Sequence, residues 1–157
     1  MTKRNVFVHS KTRDYMTDEY IDLFEEKNAN LKKGTVKELS RFIKENDNIQ
    51  LDTETNVTEK YTERELYVIQ LGTYKGEEQH IFDYTNIDDQ TWKILKRLFM
   101  SDTTFLAHNA KFEYIVLYKH FEVCIKNFKD TFLASKLITS GLDLPKGYNG
   151  LANLVLH

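Results

Sequence analysis

Asp52 and Glu54 stand two residues apart in IQLDTETN, residues 49–56, where an apolar run leads into a pair of acids. A strand alternates its side chains, so both carboxylates project from one face and repel each other. A cation between them removes that repulsion, as does solvation in an ordinary turn. A third acid, Glu113, lies in FLAHNAKFEYIVLYKHF, residues 105–121. There Tyr114, Leu117, Tyr118 and Phe121 make one apolar stripe, while Phe112, Ile115 and Val116 cover most of the opposite side. The spacing predicts a largely buried helix over 110–121. A carboxylate on such a helix needs either a lysine partner or a cation. Together the three acids offer hard oxygen ligands suited to Mg²⁺ or Mn²⁺. Two such ions about 4 Å apart can activate a water and stabilise the leaving oxygen in phosphodiester hydrolysis.

Positioning these acids requires a framework of strands and helices. Thr35 and Glu38 form a capping box ahead of an amphipathic helix that ends near Asn46. Strands are expected at 48–53, 66–74, 79–84, 103–108 and 123–128. Helices are expected at 88–99, with Thr91, Ile94, Leu95 and Leu98 on one stripe, and at 131–140, where Gly141 stops the helix. The last stretch, YNGLANLVLH, begins one more helix. Residues 1–33 are polar and mixed in charge and are read as an N-terminal extension, with a strand at 5–9 and a short helix at 18–26. Residues 34–157 form one α/β domain, a mixed five-stranded sheet flanked by helices.

Composition narrows the function. The 157 residues, 41% apolar, are enough for one core. The single cysteine, Cys124, cannot form an internal disulfide and reads as a small buried apolar residue, which points to a reducing, cytoplasmic setting. No run approaches the roughly 18 apolar residues of a membrane span. A net charge of −2 argues against a broad basic surface for nucleic acid and leaves room for a local one. Lys119, Lys126, Lys129, Lys136 and Lys146 either face a phosphate backbone or solvate helix faces. There is neither a Gly-rich phosphate loop nor a G-x-S-x-G elbow.

DTET closing a strand, HNAKFE opening a helix and then KDTFLASKLI resemble the DEDD (DnaQ-like) 3′–5′ exonuclease superfamily. The likeness is greatest to the proofreading domain of a phage-type family A DNA polymerase. It implies an RNase H-like fold and a two-metal Mg²⁺ or Mn²⁺ site. It also implies hydrolysis of single-stranded DNA 3′ ends to nucleoside monophosphates, in a bacterial or phage-infected cell, with a polymerase domain downstream. By this resemblance Asp52 bridges both metals and Glu54 binds one near the 3′ end. Glu113 supports the second metal from a position where the family usually has Asp. Thr53, Thr55, Asn109 and Phe112 would contact nucleic acid. Asp130 and Thr131 match a strand-to-helix junction and are read as a helix cap, and His108 as a residue beside the site. The third motif, Tyr-x-x-x-Asp or His-x-x-x-x-Asp, is expected on a helix beyond YNGLANLVLH, so that C-terminal helix is read as incomplete. Tyr84 with Asp88 and His9 with Asp14 have its spacing but precede the second motif, and are read as coincidence. Two other readings share the fold: a catalytically inactive nucleic-acid- or protein-binding module, and an RNA-trimming exonuclease. For the enzyme, Asp52, Glu54 and Glu113 must converge at one end of the sheet.

Overall fold

The computed structural model describes residues 3–155. Its strands are β1 (Arg4–His9), β2 (Ala29–Lys33), β3 (Asn48–Thr55), β4 (Leu66–Thr73), β5 (Glu78–Asp83), β6 (Thr104–Ala107) and β7 (Asn127–Asp130). They form one sheet in the order β2-β1-β5-β4-β3-β6-β7. β4 runs antiparallel to both of its neighbours, and every other pairing is parallel. The helices are α1 (Asp18–Glu26), α2 (Val36–Glu45), α3 (Asp89–Phe99), α4 (Ala110–Phe121), α5 (Thr131–Ile138) and α6 (Leu151–Val155).

The α/β class and mixed sheet agree with the sequence, but the strand count is seven, not five. β1 and β2 come from the segment read as an extension and complete one edge of the sheet. β2, ANLKK, has one strongly apolar residue and little strand signature of its own. Its form comes from parallel pairing with β1, from Arg4↔Ala29 to Val8↔Lys33, and from cover by α1. β7 also starts later than expected. Val123 and Ile125 are buried from the preceding loop, and the alternation turns Cys124 outward, so the cysteine is exposed and not buried.

One face of the sheet, here the back, carries the main core. Ile49, Leu51, Ile69, Leu71, Phe82 and Phe105 pack against Leu39 and Phe42 of α2, Leu95, Leu98 and Phe99 of α3, and Val116, Leu117 and Phe121 of α4. The capping box of Thr35 and Glu38 starts α2, and Asp88 caps α3 through Thr91 N. On the front face, α1 covers a smaller cluster of Val6, Ala29 and Leu31 through Ile21 and Phe24.

A buried polar chain ties the β1 edge to the core. His80 Nε2 donates to Glu78 Oε1 at 2.8 Å, so Nδ1 of a neutral His80 accepts from His9 Nε2 at 2.8 Å. Arg41 completes the chain at 2.6 Å from Glu78. Phe7, Phe42 and Phe82 surround the imidazoles, and Gly34 lies so close to His9 that a Cβ there would overlap the ring. Burial, aided by His80, pushes His9 down to about 3, and burial also lowers His80 although Glu78 pulls it up. The unfolded chain therefore binds more protons below about pH 6.5, so stability is full above that value and declines as pH falls toward 3. The urea midpoint should drop between pH 7 and pH 5, and His9→Phe should flatten that drop. An unchanged slope in the variant would assign the acid sensitivity elsewhere.

Candidate active site

Alternation along β3 places Leu51 and Thr53 on the buried back and Asp52 and Glu54, both exposed, on the front. Across the antiparallel pairing, Asp52 faces Gln70 and Glu54 faces Val68. Gln70 Nε2 donates to Asp52 Oδ2 at 3.3 Å, and Gln70 Oε1 accepts from Gln79 Nε2 at 3.0 Å, so a glutamine relay orients the carboxylate. Nothing in the sequence marked these glutamines, because their role depends on strand register. Partial desolvation against the sheet face and then the neighbouring Glu54 charge raise the pKa of Asp52. A cleft of about 430 Å³ opens on this face, bordered by Asp52, Gln70, His108, Thr131 and Leu151. His108 stands beside the site, as expected, with Nδ1 3.0 Å from Thr131 Oγ1 and its ring edge-on to Phe132.

Glu113 is placed differently. It is 2% exposed and lies behind β3, where Thr53 Oγ1 donates to its Oε2 at 2.5 Å. Burial pushes its pKa up to about 8; the Thr53 hydrogen bond opposes that shift, and the charges of Asp52 and Glu54 add to it. The three acids thus gather at the same end of β3, but the strand separates Asp52 and Glu54 in front from Glu113 behind. Among the described residues no three His, Cys, Asp or Glu side chains are close enough to hold one ion. Asp52 and Glu54 fit a single hard cation by donor chemistry and shared face. Glu113, buried behind the strand and hydrogen-bonded to Thr53, does not join that set as placed. Thr53 is 5% exposed with its hydroxyl committed to Glu113, so the nucleic-acid contact inferred for it is not available in this arrangement. Thr55 donates to Asn56 O, and Arg64 lies 5.1 Å over the Phe112 ring.

The stripe on α4 also differs from the expected one. Ala110, Glu113, Val116, Leu117 and Phe121 are buried, while Tyr114 and Tyr118 are exposed. A helix apolar on nearly all sides does not reveal its own phase, and packing against the sheet chose the side that includes Glu113. In metal-free buffer this has a measurable consequence. The folded chain keeps the Glu113 proton up to about pH 8, whereas the unfolded chain loses it near 4.5, so stability falls as pH rises through that window. Glu113→Gln should be equally stable near pH 4 and more stable at pH 8, by on the order of a few kcal/mol. A variant with no gain at pH 8 in EDTA would show that Glu113 ionises normally.

Asp130 caps more than one helix. Its Oδ1 accepts from Phe132 N and Leu133 N at the start of α5 and from Asn109 N, and its Oδ2 accepts from Ala110 N at 2.9 Å. Asn109 precedes α4 in the left-handed region, φ 68°, and its own side chain makes no cap. One carboxylate therefore serves four amides at two helix starts and fixes the turn that aims α4. The basic residues mostly have local partners. Lys119 pairs with Glu65, Lys126 with Asp102, and Lys129 bonds Asn48. Asp130→Ala should lower unfolding stability by about 2–3 kcal/mol, roughly two caps' worth and more than a single cap. Asp130→Asn should recover part of the loss, measurable by urea denaturation.

A mixed sheet with its helical core on the back and an Asp-Thr-Glu strand end on the open front defines an RNase H-like nuclease fold. Escherichia coli RNase D, described as an exoribonuclease involved in structured RNA processing, shares it at 21% identity and TM-score 0.61, over 94% of this chain and 32% of its own. Brucella melitensis NrnC, solved with bound Mg²⁺, shares it at 20% identity and TM-score 0.56, over 94% of this chain and 58% of its own. The EXD2 exonuclease domain does so at 13% identity and TM-score 0.52, over 94% of this chain and 69% of its own. The chain thus spans about a third of RNase D and just over half of NrnC. No curated protein matches by sequence. Residues 31–157 match the 3′–5′ exonuclease family, and the chain belongs to that family, of the DEDD type, whose members use divalent metals.

Proposed function

We propose that this chain is the nuclease domain of a metal-dependent 3′–5′ exonuclease that trims single-stranded DNA ends to nucleoside monophosphates, in the manner of a polymerase proofreading domain. The observation that carries this reading is the pairing of Asp52 and Glu54 on the open face of β3, beside a cleft and with Asp52 oriented by Gln70. A divalent cation bound there would activate water and stabilise the leaving oxygen. Asp52 and Glu54 would hold it, and their mutual repulsion, which helps to raise the Asp52 pKa, would be relieved by it. Gln70 and Gln79 keep the Asp52 carboxylate turned to the cleft. Glu113 braces the strand from behind through Thr53.

RNA is the second reading, favoured by the ribonucleases among the structures that share the fold, including Trypanosoma brucei RNase D in complex with RNA U12. Matched 5′-labelled DNA and RNA 20-mers, incubated with Mg²⁺ or Mn²⁺, separate the two because the 2′-hydroxyl is their systematic difference. The expected product is a ladder shortened from the 3′ end, faster on DNA. Asp52→Ala should reduce the rate by about a hundredfold or more, since loss of even an outer-shell partner costs about 10- to 100-fold. Faster RNA trimming would replace the DNA assignment. Trimming that survives Asp52→Ala would remove the β3 carboxylates from the chemistry and favour a binding module.

A further inference from the structure

A second cavity lies on the same open face. It has a volume of about 500 Å³, and its floor is Leu31, Val8, Ile81 and Val68, one residue from each of four adjacent strands, β2, β1, β5 and β4. Tyr20 and Phe24 of α1 and Tyr15 of the preceding loop form its roof. Val68 is directly opposite Glu54 in the β3–β4 ladder, so this cavity begins one strand away from the carboxylate pair.

The ladder also has an irregularity at this point. Glu54 pairs with Val68 and Thr55 with Leu66, so Tyr67 is an extra residue in β4. A bulge lets successive side chains leave the strict alternation, and here it brings Tyr67, 48% exposed, to the cavity together with its neighbour Val68. Three tyrosines and a phenylalanine thus bound an apolar slot whose Val68 edge lies opposite Glu54 in the ladder. Tyr15 and Tyr20 meet edge-on at 5.6 Å. The loop that carries Tyr15 is anchored by Asp83, 7% exposed, which accepts from Tyr15 Oη at 3.0 Å and pairs with Arg13 at 3.3 Å. Arg13 keeps its side chain 61% exposed at the rim, and Lys11 and Lys33 line the adjoining depression.

We infer that this slot, built by residues 8–31 against the β4 bulge, is a nucleobase subsite that stacks one base of the single strand whose phosphate reaches Asp52 and Glu54. The inference rests on the exonuclease reading and deepens it. Apolar floor, aromatic walls and a cationic rim are what a base with its attached phosphate requires, and such stacking tolerates any sequence. Adjacency to the carboxylate face, through Val68 opposite Glu54, favours a strand over an unrelated small molecule, because only a strand needs to reach both.

The test uses the Asp52→Ala chain in EDTA, which removes cleavage from the binding measurement. The probes are single-stranded 12-mers with 2-aminopurine at each of the four 3′-terminal positions. Their fluorescence should change at one or two positions on binding. Tyr20→Ala with Tyr67→Ala should abolish that change and weaken binding about tenfold, within the range of one lost base stack. Tyr20→Phe with Tyr67→Phe should restore both. Both residues are substantially exposed, and thermal melts establish that the Ala pair is folded. An Ala pair that binds within twofold of its parent with the same fluorescence change overturns the subsite. Cleavage by the wild-type chain in Mg²⁺ is scored separately. Cleavage with tyrosine-independent binding keeps the nuclease and sinks the subsite, whereas a tyrosine-dependent signal without cleavage does the reverse. Absence of both sinks both.

Discussion

The alternation of side chains along β3 constrains everything else at the site. Ile49, Leu51 and Thr53 face a core closed by three helices, so slipping the strand by one residue would drive Asp52 and Glu54 into that core and expose Leu51. Burial of two unpaired carboxylates is costly enough to make the register unambiguous. The open front face is therefore a product of the packed back face. Antiparallel β4 then supplies neighbours that a parallel strand would have presented in a different register: Gln70 for Asp52 and Val68 for Glu54.

Glu113 shows what that constraint does to a residue on a packed helix. α4 lies against the back of the sheet, and its buried stripe runs Ala110, Glu113, Leu117, Phe121. A carboxylate in that stripe meets Thr53, the one polar side chain that β3 turns inward beside it, and takes its hydroxyl. A carboxyl held this way is best neutral, because water is excluded and two further acids lie across the strand.

Asp130 and the front-face cavity are consequences of topology. β6 and β7 are parallel neighbours, so the helices that follow them start side by side at the same edge, and one carboxylate can satisfy amides of both. Likewise β1 and β2 add to the sheet on the side of β5, which brings α1 over the front face on the far side of the cavity from the carboxylate strand. The segment before residue 34 thus shapes the surface around the site, although it carries none of its acids.

The sequence by itself determined the local features. Alternation put Asp52 and Glu54 on one face, the Thr35–Glu38 box started α2, the stripe of Thr91, Leu95 and Leu98 defined α3, and the ordered DTET and HNAKFE segments pointed to an exonuclease of the DEDD type. These are short-range properties, set by residues within one turn or one strand. Only the tertiary structure decided the rest. The phase of α4 was undetermined because the helix is apolar on both sides, and packing alone turned Glu113 toward Thr53 and Tyr114 outward. β2 is a strand because β1 and α1 are beside it, and Tyr67 reaches the cavity because the β3–β4 register slips by one residue next to Glu54. Register, helix phase and edge pairing depend on partners far apart in the chain, and no window of the sequence contains both members of such a pair.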